Sequence, residues 1–283
     1  MGVALVVNAY ERTYRSVLSP GFFPEIVSSN LREFDEVVAL VNNVDDEADA
    51  RSRAETLLAR GEITRCEFVA DHVEMALEQT GLTHRSLRRH PYLLDYGLVM
   101  PYVCESEWLL GWDAETELET PANWVDPSIE LLERNPRLFH ASLTWPGFEA
   151  DEGFDAEEVG RIGDYSINWG FSDQLFLLRR TDLIGRIYRR FAPMAAARHA
   201  PHPTTFEYRV EANQRATGRP RATLSTLHYK TNFVPGGVLG RVGSTRFEYE
   251  RMRALYRLEY YLLKRLPESS GPRWSNSASV PRD

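Results

Sequence analysis

The fold of this chain is most constrained by a run of apolar, largely β-branched residues near its start. Residues 3–7 are apolar at every position, which is typical of a strand buried on both faces of a parallel sheet. Similar strand patterns follow at 36–41 and 107–112, and a helical pattern at 47–60 lies between them. Strands that alternate with helices at this spacing form right-handed βαβ units. We therefore predict an α/β protein with a mixed, mostly parallel central sheet flanked by helices.

The second half of the chain has less regular patterns. They predict a strand over 171–180, helices over 183–197 and 205–217, and a last strand over 221–229. Residues 245–266 form an amphipathic helical pattern, which favours packing against the body or against a second copy of the chain as a homo-oligomer. The Ser- and Pro-rich residues 267–283 have the composition of a disordered tail.

Composition excludes several classes of protein. A net charge of −8 argues against general nucleic-acid binding, which needs a basic surface. Cys66 and Cys104 are spaced unlike metal ligands, so we expect buried, reduced thiols. No apolar stretch approaches the roughly 20 residues of a membrane helix, and the start lacks a signal-peptide pattern, so a cytoplasmic protein is expected. Only Lys230 and Lys264 are lysines among 33 basic residues, which is typical of a GC-rich bacterial genome.

Two carboxylates follow the predicted strand at 107–112. In an extended segment Asp113 and Glu115 point the same way, so both can present oxygen ligands to one divalent cation, and that cation can hold a diphosphate. The same pattern is also common in solvated turns. Ligands of parallel sheets bind at the carboxyl ends of strands, and we expect the polar segments 8–13 and 42–46 to face the same cleft.

Several features stand in a recognisable order along the chain. They are Val3 to Arg12 as a strand and loop, Asn42-Asn43, Trp112-Asp113-Ala114-Glu115, Phe171 to Arg180 with its Arg-Arg end, Thr205 to Val210, and His228 at the end of the last strand. In this order they resemble glycosyltransferases of the GT-A fold, most nearly the family 2 type, over residues 3–232. The resemblance implies a GT-A domain at 1–232, made of a nucleotide-binding half at 1–118 and an acceptor-binding half at 119–232. A linker and amphipathic helix at 233–266 and the tail would follow.

The resemblance also implies roles for individual residues. The nucleotide-sugar-binding set is Ala9, Tyr10, Glu11, Arg12, Asn42, Asn43, Asp95, Trp112, Asp113 and Ala114. The metal ligands would be Asp113, Glu115 and His228, holding Mn²⁺ or Mg²⁺, with the imidazole favouring Mn²⁺. The general base would be Glu207 as first candidate and Asp173 as second.

The chain departs from the family pattern at two places. Asn42-Asn43 stands where the family usually has paired aspartates, and Asp95 falls where it often has an Arg-Asn pair. The resemblance implies metal-dependent transfer of a hexosyl or related group from a nucleoside diphosphate sugar to a hydroxyl of a small-molecule or glycan acceptor. Two alternatives stay open. One is a non-catalytic nucleotide-sugar-binding protein of the same fold. The other is a nucleotidyltransferase, which would need a Gly-rich loop after the first strand, whereas residues 8–13 contain no glycine.

Overall fold

The structure is a computed structural model that describes residues 2–87, 93–144, 157–199 and 205–231. The strands are β1 (Val3–Tyr10), β2 (Glu36–Asn42), β3 (Arg65–Phe68), β4 (Trp108–Asp113), β5 (Thr116–Leu118), β6 (His140–Thr144), β7 (Glu158–Ile162), β8 (Tyr165–Asn168), β9 (Leu175–Arg179) and β10 (Arg221–Thr231). The helices are α1 (Tyr14–Val17), α2 (Phe22–Ser29), α3 (Glu47–Ala59), α4 (Val69–Thr80), α5 (His84–Leu87), α6 (Asp95–Val99), α7 (Val125–Arg134), α8 (Pro193–Arg198) and α9 (Phe206–Thr217).

The strands form one mixed sheet, in which β1 lies between two parallel neighbours. The strand order is β3-β2-β1-β4-β9-β6-β10-β8-β7, and β5 pairs with β10. In register, Tyr10 lies beside Asn42 of β2, and Asn8 lies beside Asp113 of β4. The carboxyl ends of β1, β2 and β4 therefore meet at one edge, as the sequence pattern predicts.

The other half of the sheet is largely antiparallel. Strand β9 runs antiparallel to β4 and β6, and β10 runs parallel to β6 but antiparallel to β8 and β5. Strand β5 follows β4 after a short turn and pairs with β10. The last described strand therefore lies beside the segment that follows Asp113. The predicted α/β fold with a mixed central sheet flanked by helices is confirmed.

The core has two layers, one on each face of the sheet. Along β1, Val3, Leu5 and Val7 pack with residues of α1, α2, α3 and α7. Ala4 and Val6 pack on the opposite face with residues of α4, α6 and α9. Successive side chains of a strand point to opposite faces, so a strand covered on both faces must be apolar at every position. This burial explains the continuous apolar run from which the strand was predicted.

Gly111 of β4 leaves room for an aromatic ring. It pairs with Phe176 of β9, and a Cβ added at this glycine would lie 2.2 Å from the Phe176 ring. Since Phe176 is fully buried, the ring has no space to retreat. We predict that Gly111→Ala lowers the free energy of unfolding by about 3 kcal/mol, a typical upper cost of overpacking. Chemical denaturation measures the change, and adding Phe176→Leu should recover part of the loss. Unchanged stability of Gly111→Ala would contradict this packing.

Two predicted elements differ from the structure. Instead of a helix over 183–197, the chain forms 3₁₀ turns at Arg180–Leu183 and Arg186–Arg189 before α8 begins. Gly185, at φ 82°, breaks the helical path between these turns. The strand predicted over 171–180 begins only at Leu175, because Ser172 accepts a hydrogen bond from the Gln174 N–H and holds a local turn.

Other expectations fall outside the described residues. The amphipathic helix predicted at 245–266, its proposed role in a homo-oligomer, and the disordered tail at 267–283 lie beyond Thr231, where the described part ends. Within the described residues, no helix combines the length and apolar character that crossing a membrane would require.

Candidate active site

The candidate site lies at the edge where β1, β2 and β4 end. Asp113 is the last residue of β4 and lies beside Asn8 of β1. Its backbone N–H donates to the Gln174 carbonyl at 2.7 Å, which fixes the strand end against the segment leading into β9. Asp113 is thus held at the position where ligands of parallel sheets bind.

The two acids predicted as a pair are joined by a turn. Ala114 and Glu115 form the turn between β4 and β5, and the Glu115 N–H donates to Asp113 Oδ1 at 2.9 Å. The prediction that an extended segment aims both side chains the same way was therefore wrong. The Asp113 carboxylate instead caps the following turn, as aspartate often does. Glu115 still lies close enough to act on the charge of Asp113.

Three of the predicted acids lie close enough to one buried phenol to act on its charge. Tyr96 of α6 donates a short hydrogen bond from its hydroxyl to Asp173 Oδ2. Burial, followed by the charges of Asp173, Glu207 and Asp113, holds the pKa of Tyr96 well above its ordinary value. The Asp173 N–H also donates to Glu207 Oε1 at 3.4 Å. The fold therefore gathers Asp113, Asp173 and Glu207, which are far apart in sequence.

The environment of Asp113 disfavours its negative charge. Burial raises the pKa of Asp113 to about 7, although the hydrogen bond from the Glu115 N–H lowers it. The charges of Asp173 and Glu115 raise the pKa further. A divalent cation would relieve this crowding of carboxylates. Mg²⁺ and Mn²⁺ fit here, because such ions are commonly held by one or two carboxylates together with substrate phosphates. Asp113 and Glu115 supply oxygen donors of that kind.

His228 is not brought to the two acids. Its carbonyl accepts the Glu119 N–H at 3.1 Å, and the next residue, Tyr229, lies beside Leu118 in register. His228 therefore lies beside Glu119, which is four residues beyond Glu115 along the chain. Over the four described ranges, no group of three or more His, Cys, Asp or Glu side chains is placed to hold a metal ion. The preference for Mn²⁺ rested on this imidazole, so the remaining oxygen donors do not discriminate between Mn²⁺ and Mg²⁺.

A second polar cluster lies beside the acids, at the end of β2. Asn43, at φ 50°, donates from its Nδ2 to Asp95 Oδ2 at 3.2 Å and to the Asn42 side chain in a short contact. The Tyr96 N–H donates to Asp95 Oδ1 at 2.8 Å. The structure thus brings together Asn42, Asn43 and Asp95, as the sequence predicts. Asp95 and Tyr96 are consecutive residues of α6. Asp95 contacts this polar cluster, and Tyr96 contacts the cluster of acids.

The burial of Asp95 makes stability depend on pH. Burial, partly offset by hydrogen bonds from Asn43 and the backbone, raises the pKa of Asp95 from about 3.8 to about 6. Because the folded protein binds this proton more tightly than the unfolded chain, stability is lost as pH rises from about 4 through 6. We predict that Asp95→Asn stabilises the protein at pH 7.5 by on the order of 2 kcal/mol, and that the gain shrinks toward zero near pH 4.

Denaturation at several pH values measures this difference. The matched control is Asp126→Asn, since hydrogen bonds from Asn123 and Arg32 hold the pKa of Asp126 low despite its partial burial. The control should therefore gain no stability at pH 7.5. An Asp95→Asn variant no more stable than the wild type at that pH would be inconsistent with an ionised, buried Asp95.

The loop after β1 reaches the loop after β2. Glu11 Oε2 accepts the Asp45 N–H at 2.6 Å, and the Thr13 N–H donates to the Tyr10 carbonyl at 2.8 Å to close the turn. Tyr10 and Glu11 are partly exposed, and Arg12 is exposed at the same edge. These three residues of the predicted nucleotide-binding set are therefore accessible to a ligand.

Two other members of the predicted set belong to the core. Ala9 is completely buried, and Trp112 is 2% exposed. The Trp112 Nε1–H donates to the Thr116 carbonyl at 3.0 Å, which anchors the indole beneath the turn. The side chains of both residues are covered because β1 and β4 are central strands buried on both faces, and their place in the nucleotide-sugar-binding set stays a prediction. Ala114, in the turn, is partly buried.

Helix α9 presents Glu207 to the site. Thr205 caps the helix by accepting the Tyr208 N–H at 3.2 Å, and Glu207 lies in the first turn. The positive end of the helix dipole there stabilises a carboxylate. Packing of Phe206 against Tyr96, with ring centroids 5.6 Å apart, holds α9 to α6. This contact explains why Glu207 and the Tyr96 hydroxyl share one site.

Sequence reasoning missed three residues of the site. Tyr96 follows a predicted binding residue but was given no role. Tyr229, whose hydroxyl donates to Gln174 Oε1 at 3.1 Å, was assigned only to a strand. His199 was not recognised, although it approaches Glu207 to 3.8 Å. One sequence signal could have indicated a partner for Glu207 on this side of the site. Glu207 and Glu211 are four residues apart, which places both carboxylates on one face of the predicted helix.

The solved structures to which this chain is similar share little sequence with it. No protein-family model matches the chain, and no curated protein matches it in sequence. Its structure is similar to that of GalNAc-T7 with UDP, GalNAc and Mn²⁺, at 11% identity and a TM-score of 0.47, covering 93% of this chain and 50% of that one. It is also similar to a mannosyltransferase from Pyrobaculum calidifontis in complex with GDP-Man and Mn²⁺, at 13% identity and a TM-score of 0.49, covering 94% and 65%.

A third similar structure is glucosyl-3-phosphoglycerate synthase from Mycobacterium tuberculosis, in complex with Mn²⁺, UDP and phosphoglyceric acid. It is 14% identical, with a TM-score of 0.46 and coverage of 95% of this chain and 80% of that one. The chain spans half the length of the first of these proteins and 65% of the second.

Proposed function

We propose that this protein is a metal-dependent glycosyltransferase, which moves a sugar from a nucleoside diphosphate sugar to a hydroxyl of an acceptor. The observation that carries the proposal is the gathering of Asp113, Asp173 and Glu207 around the Tyr96 hydroxyl, at the carboxyl edge of parallel strands. Acids clustered at this edge can serve both a cation and a proton transfer, and the proposed metal-dependent reaction uses both.

The donor would occupy the side of the site formed by β1, β2 and α6. Asn42 and Asn43 offer amide donors and acceptors, which suit the hydrogen-bonding edge of a nucleobase. Asp113 and Glu115 would hold the divalent cation, whose chemistry is to neutralise charge on the departing diphosphate. This division puts the base at the end of β2 and the diphosphate at the end of β4, on either side of β1.

The acceptor would approach from the side of α9. Glu207 would take the proton of the acceptor hydroxyl as the acceptor oxygen attacks the anomeric carbon. Asp173 is the second candidate for this role, but its carboxylate already accepts the Tyr96 hydroxyl and is thereby oriented toward the phenol. Glu207 stands at the helix start, where its charged form is favoured.

The test is a screen for release of nucleoside diphosphate. The full chain is incubated with a panel of UDP- and GDP-sugars, with Mn²⁺, with Mg²⁺ or with EDTA, and products are measured by mass spectrometry. We expect one or a few donors to be hydrolysed or transferred only when a metal is present. Binding of a donor without turnover would favour the non-catalytic nucleotide-sugar-binding alternative. That alternative is supported by Asn42-Asn43, which stands where the family usually has paired aspartates. If the protein neither binds nor turns over any donor of the panel, the proposal is contradicted.

A further inference from the structure

A buried histidine lies directly behind Glu207. The His199 Nδ1 is 3.8 Å from Glu207 Oε2, and its Nε2 is 2.9 Å from Glu211 Oε2. The His199 side chain is only 10% exposed and that of Glu211 is fully buried. The imidazole is thus held between two carboxylates, one facing the site and one facing the interior.

The interior carboxylate is itself held in place. Glu211 Oε1 accepts a hydrogen bond from Arg215 Nε at 2.7 Å, and Arg215 also donates to Glu157 Oε2 at 2.7 Å. Although burial opposes its charge, Glu211 and Glu157 hold the pKa of Arg215 above its ordinary value. The Arg215 guanidinium also lies over the Trp169 ring, 5.5 Å from its centroid. Buried ions are costly unless paired, so this chain of pairs keeps Glu211 ionised and fixed.

The contacts of His199 fix which ring nitrogen carries the proton. An ionised Glu211 only accepts hydrogen bonds, so the Nε2 of His199 must donate to it. In the neutral ring, Nδ1 then has a lone pair that faces Glu207. A carboxylate that fixes the tautomer of a histidine, which in turn faces a reacting group, is the arrangement used in hydrolytic triads. Here the reacting group is itself a carboxylate.

We propose that His199 is a positioning residue, which acts through Glu207 by taking up the proton that Glu207 removes from the acceptor. The inference rests on the proposed function and adds a residue to it. As the acceptor oxygen bonds to the anomeric carbon, its O–H proton passes to Glu207, and the bond from that carbon to the diphosphate breaks with its electron pair leaving on the diphosphate. Glu207 then donates the proton to Nδ1, and the resulting imidazolium is paired with Glu211. The proton passes to water when the products leave.

The distance from Glu207 to His199 suits a transient contact. The His199 Nδ1 and Glu207 Oε2 atoms are 3.8 Å apart, and once Glu207 carries the proton, a shift of about 1 Å in its side chain would let it donate a hydrogen bond to Nδ1. Catalytic hydrogen bonds are often long before substrate binds. In the structure, Glu207 Oε1 accepts the Asp173 N–H, and Glu207 Oε2 faces His199.

The test uses the full chain and the donor that is turned over fastest in the UDP- and GDP-sugar panel. We expect His199→Ala and Glu211→Gln to lower kcat by about 10- to 100-fold, less than the contribution of a group that takes the proton directly from the substrate. The KM for the donor and the calorimetric affinity for UDP or GDP should not change. The control is His84→Gln, which removes an exposed histidine paired with Glu74 at 2.7 Å and should leave kcat unchanged.

Chemical rescue separates proton uptake from packing. Imidazole added to His199→Ala should restore part of kcat, and substituted imidazoles of similar size should restore it in the order of their pKa values. The inference would be overturned if the recovered kcat did not depend on the pKa of the added base. It would also be overturned by a His199→Ala variant with wild-type kcat. If His199→Ala does not fold, His199→Gln keeps a donor to Glu211 but cannot take a proton, and it should show the same loss of kcat. A wild-type protein that turns over no donor contradicts the proposed function itself, whereas an active wild type with equally active variants contradicts only this inference.

Discussion

Glu207→Gln will reduce kcat for sugar transfer by about 10²- to 10⁴-fold, the range that a positioned general base contributes. The amide keeps the shape of the side chain and can still accept the Asp173 N–H through its oxygen. It cannot take a proton from the acceptor. Because the proposed function puts Glu207 on the acceptor side, calorimetric affinity for UDP or GDP in the presence of Mn²⁺ should be unchanged. Steady-state kinetics with the best donor of the panel measure kcat and KM.

A matched control and a rival residue sharpen this prediction. Glu130→Gln makes the same chemical change on an exposed helix, where Glu130 pairs with Arg134 at 3.2 Å, and it should leave kcat unchanged. If Glu207→Gln retains wild-type turnover and Asp173→Asn abolishes it, Asp173 is the base and the assignment of Glu207 is wrong. A loss of nucleotide affinity in Glu207→Gln would show instead that this residue belongs to the donor side.

Asp113→Asn will lower kcat/KM by about 10²- to 10³-fold, because a cation at a departing oxygen stabilises the transition state by several kcal/mol. The amide retains an oxygen that can accept the Glu115 N–H, so the turn after β4 should persist. It removes the negative charge that a divalent cation requires. Raising the metal concentration should recover part of the activity, since the defect lies in metal affinity.

Stability provides an independent check on Asp113. Burial and the nearby carboxylates disfavour its charge, so Asp113→Asn should be at least as stable as the wild type in denaturation without metal at pH 8. The control is Glu119→Gln, which removes an exposed acid from the same segment and should alter neither kinetics nor stability. Wild-type kcat/KM in Asp113→Asn would exclude this residue as a metal ligand.

The sequence predicted those parts of the molecule that depend on local patterns. β1 and β2 were found because strands buried on both faces must be apolar throughout, and α9 was found from the helical pattern over 205–217. The meeting of Asn42 and Asp113 at one edge followed from parallel strands alone. For the same reason the accessible loop after β1 was placed correctly.

The errors concern contacts that local patterns do not specify. The turn at Asp113 depends on one hydrogen bond from the Glu115 N–H, which competes with the extended conformation. The position of His228 depends on the register of β10, and that strand bulges between Leu224 and His228 where it pairs with β6. No local pattern reports an irregularity of this kind. The role of Tyr96 likewise depends on tertiary packing of α6 against α9.

Titration calorimetry of UDP and of GDP against the full chain tests the central claim most directly, which is that Asp113 and Glu115 hold a cation that in turn binds a diphosphate. Each nucleotide is titrated into the wild type and into Asp113→Asn, with Mn²⁺, with Mg²⁺ and with EDTA. We predict binding of at least one nucleotide to the wild type in the presence of metal, and little or none with EDTA or in Asp113→Asn. Nucleotide binding of equal affinity with and without metal, and in both proteins, would contradict the account.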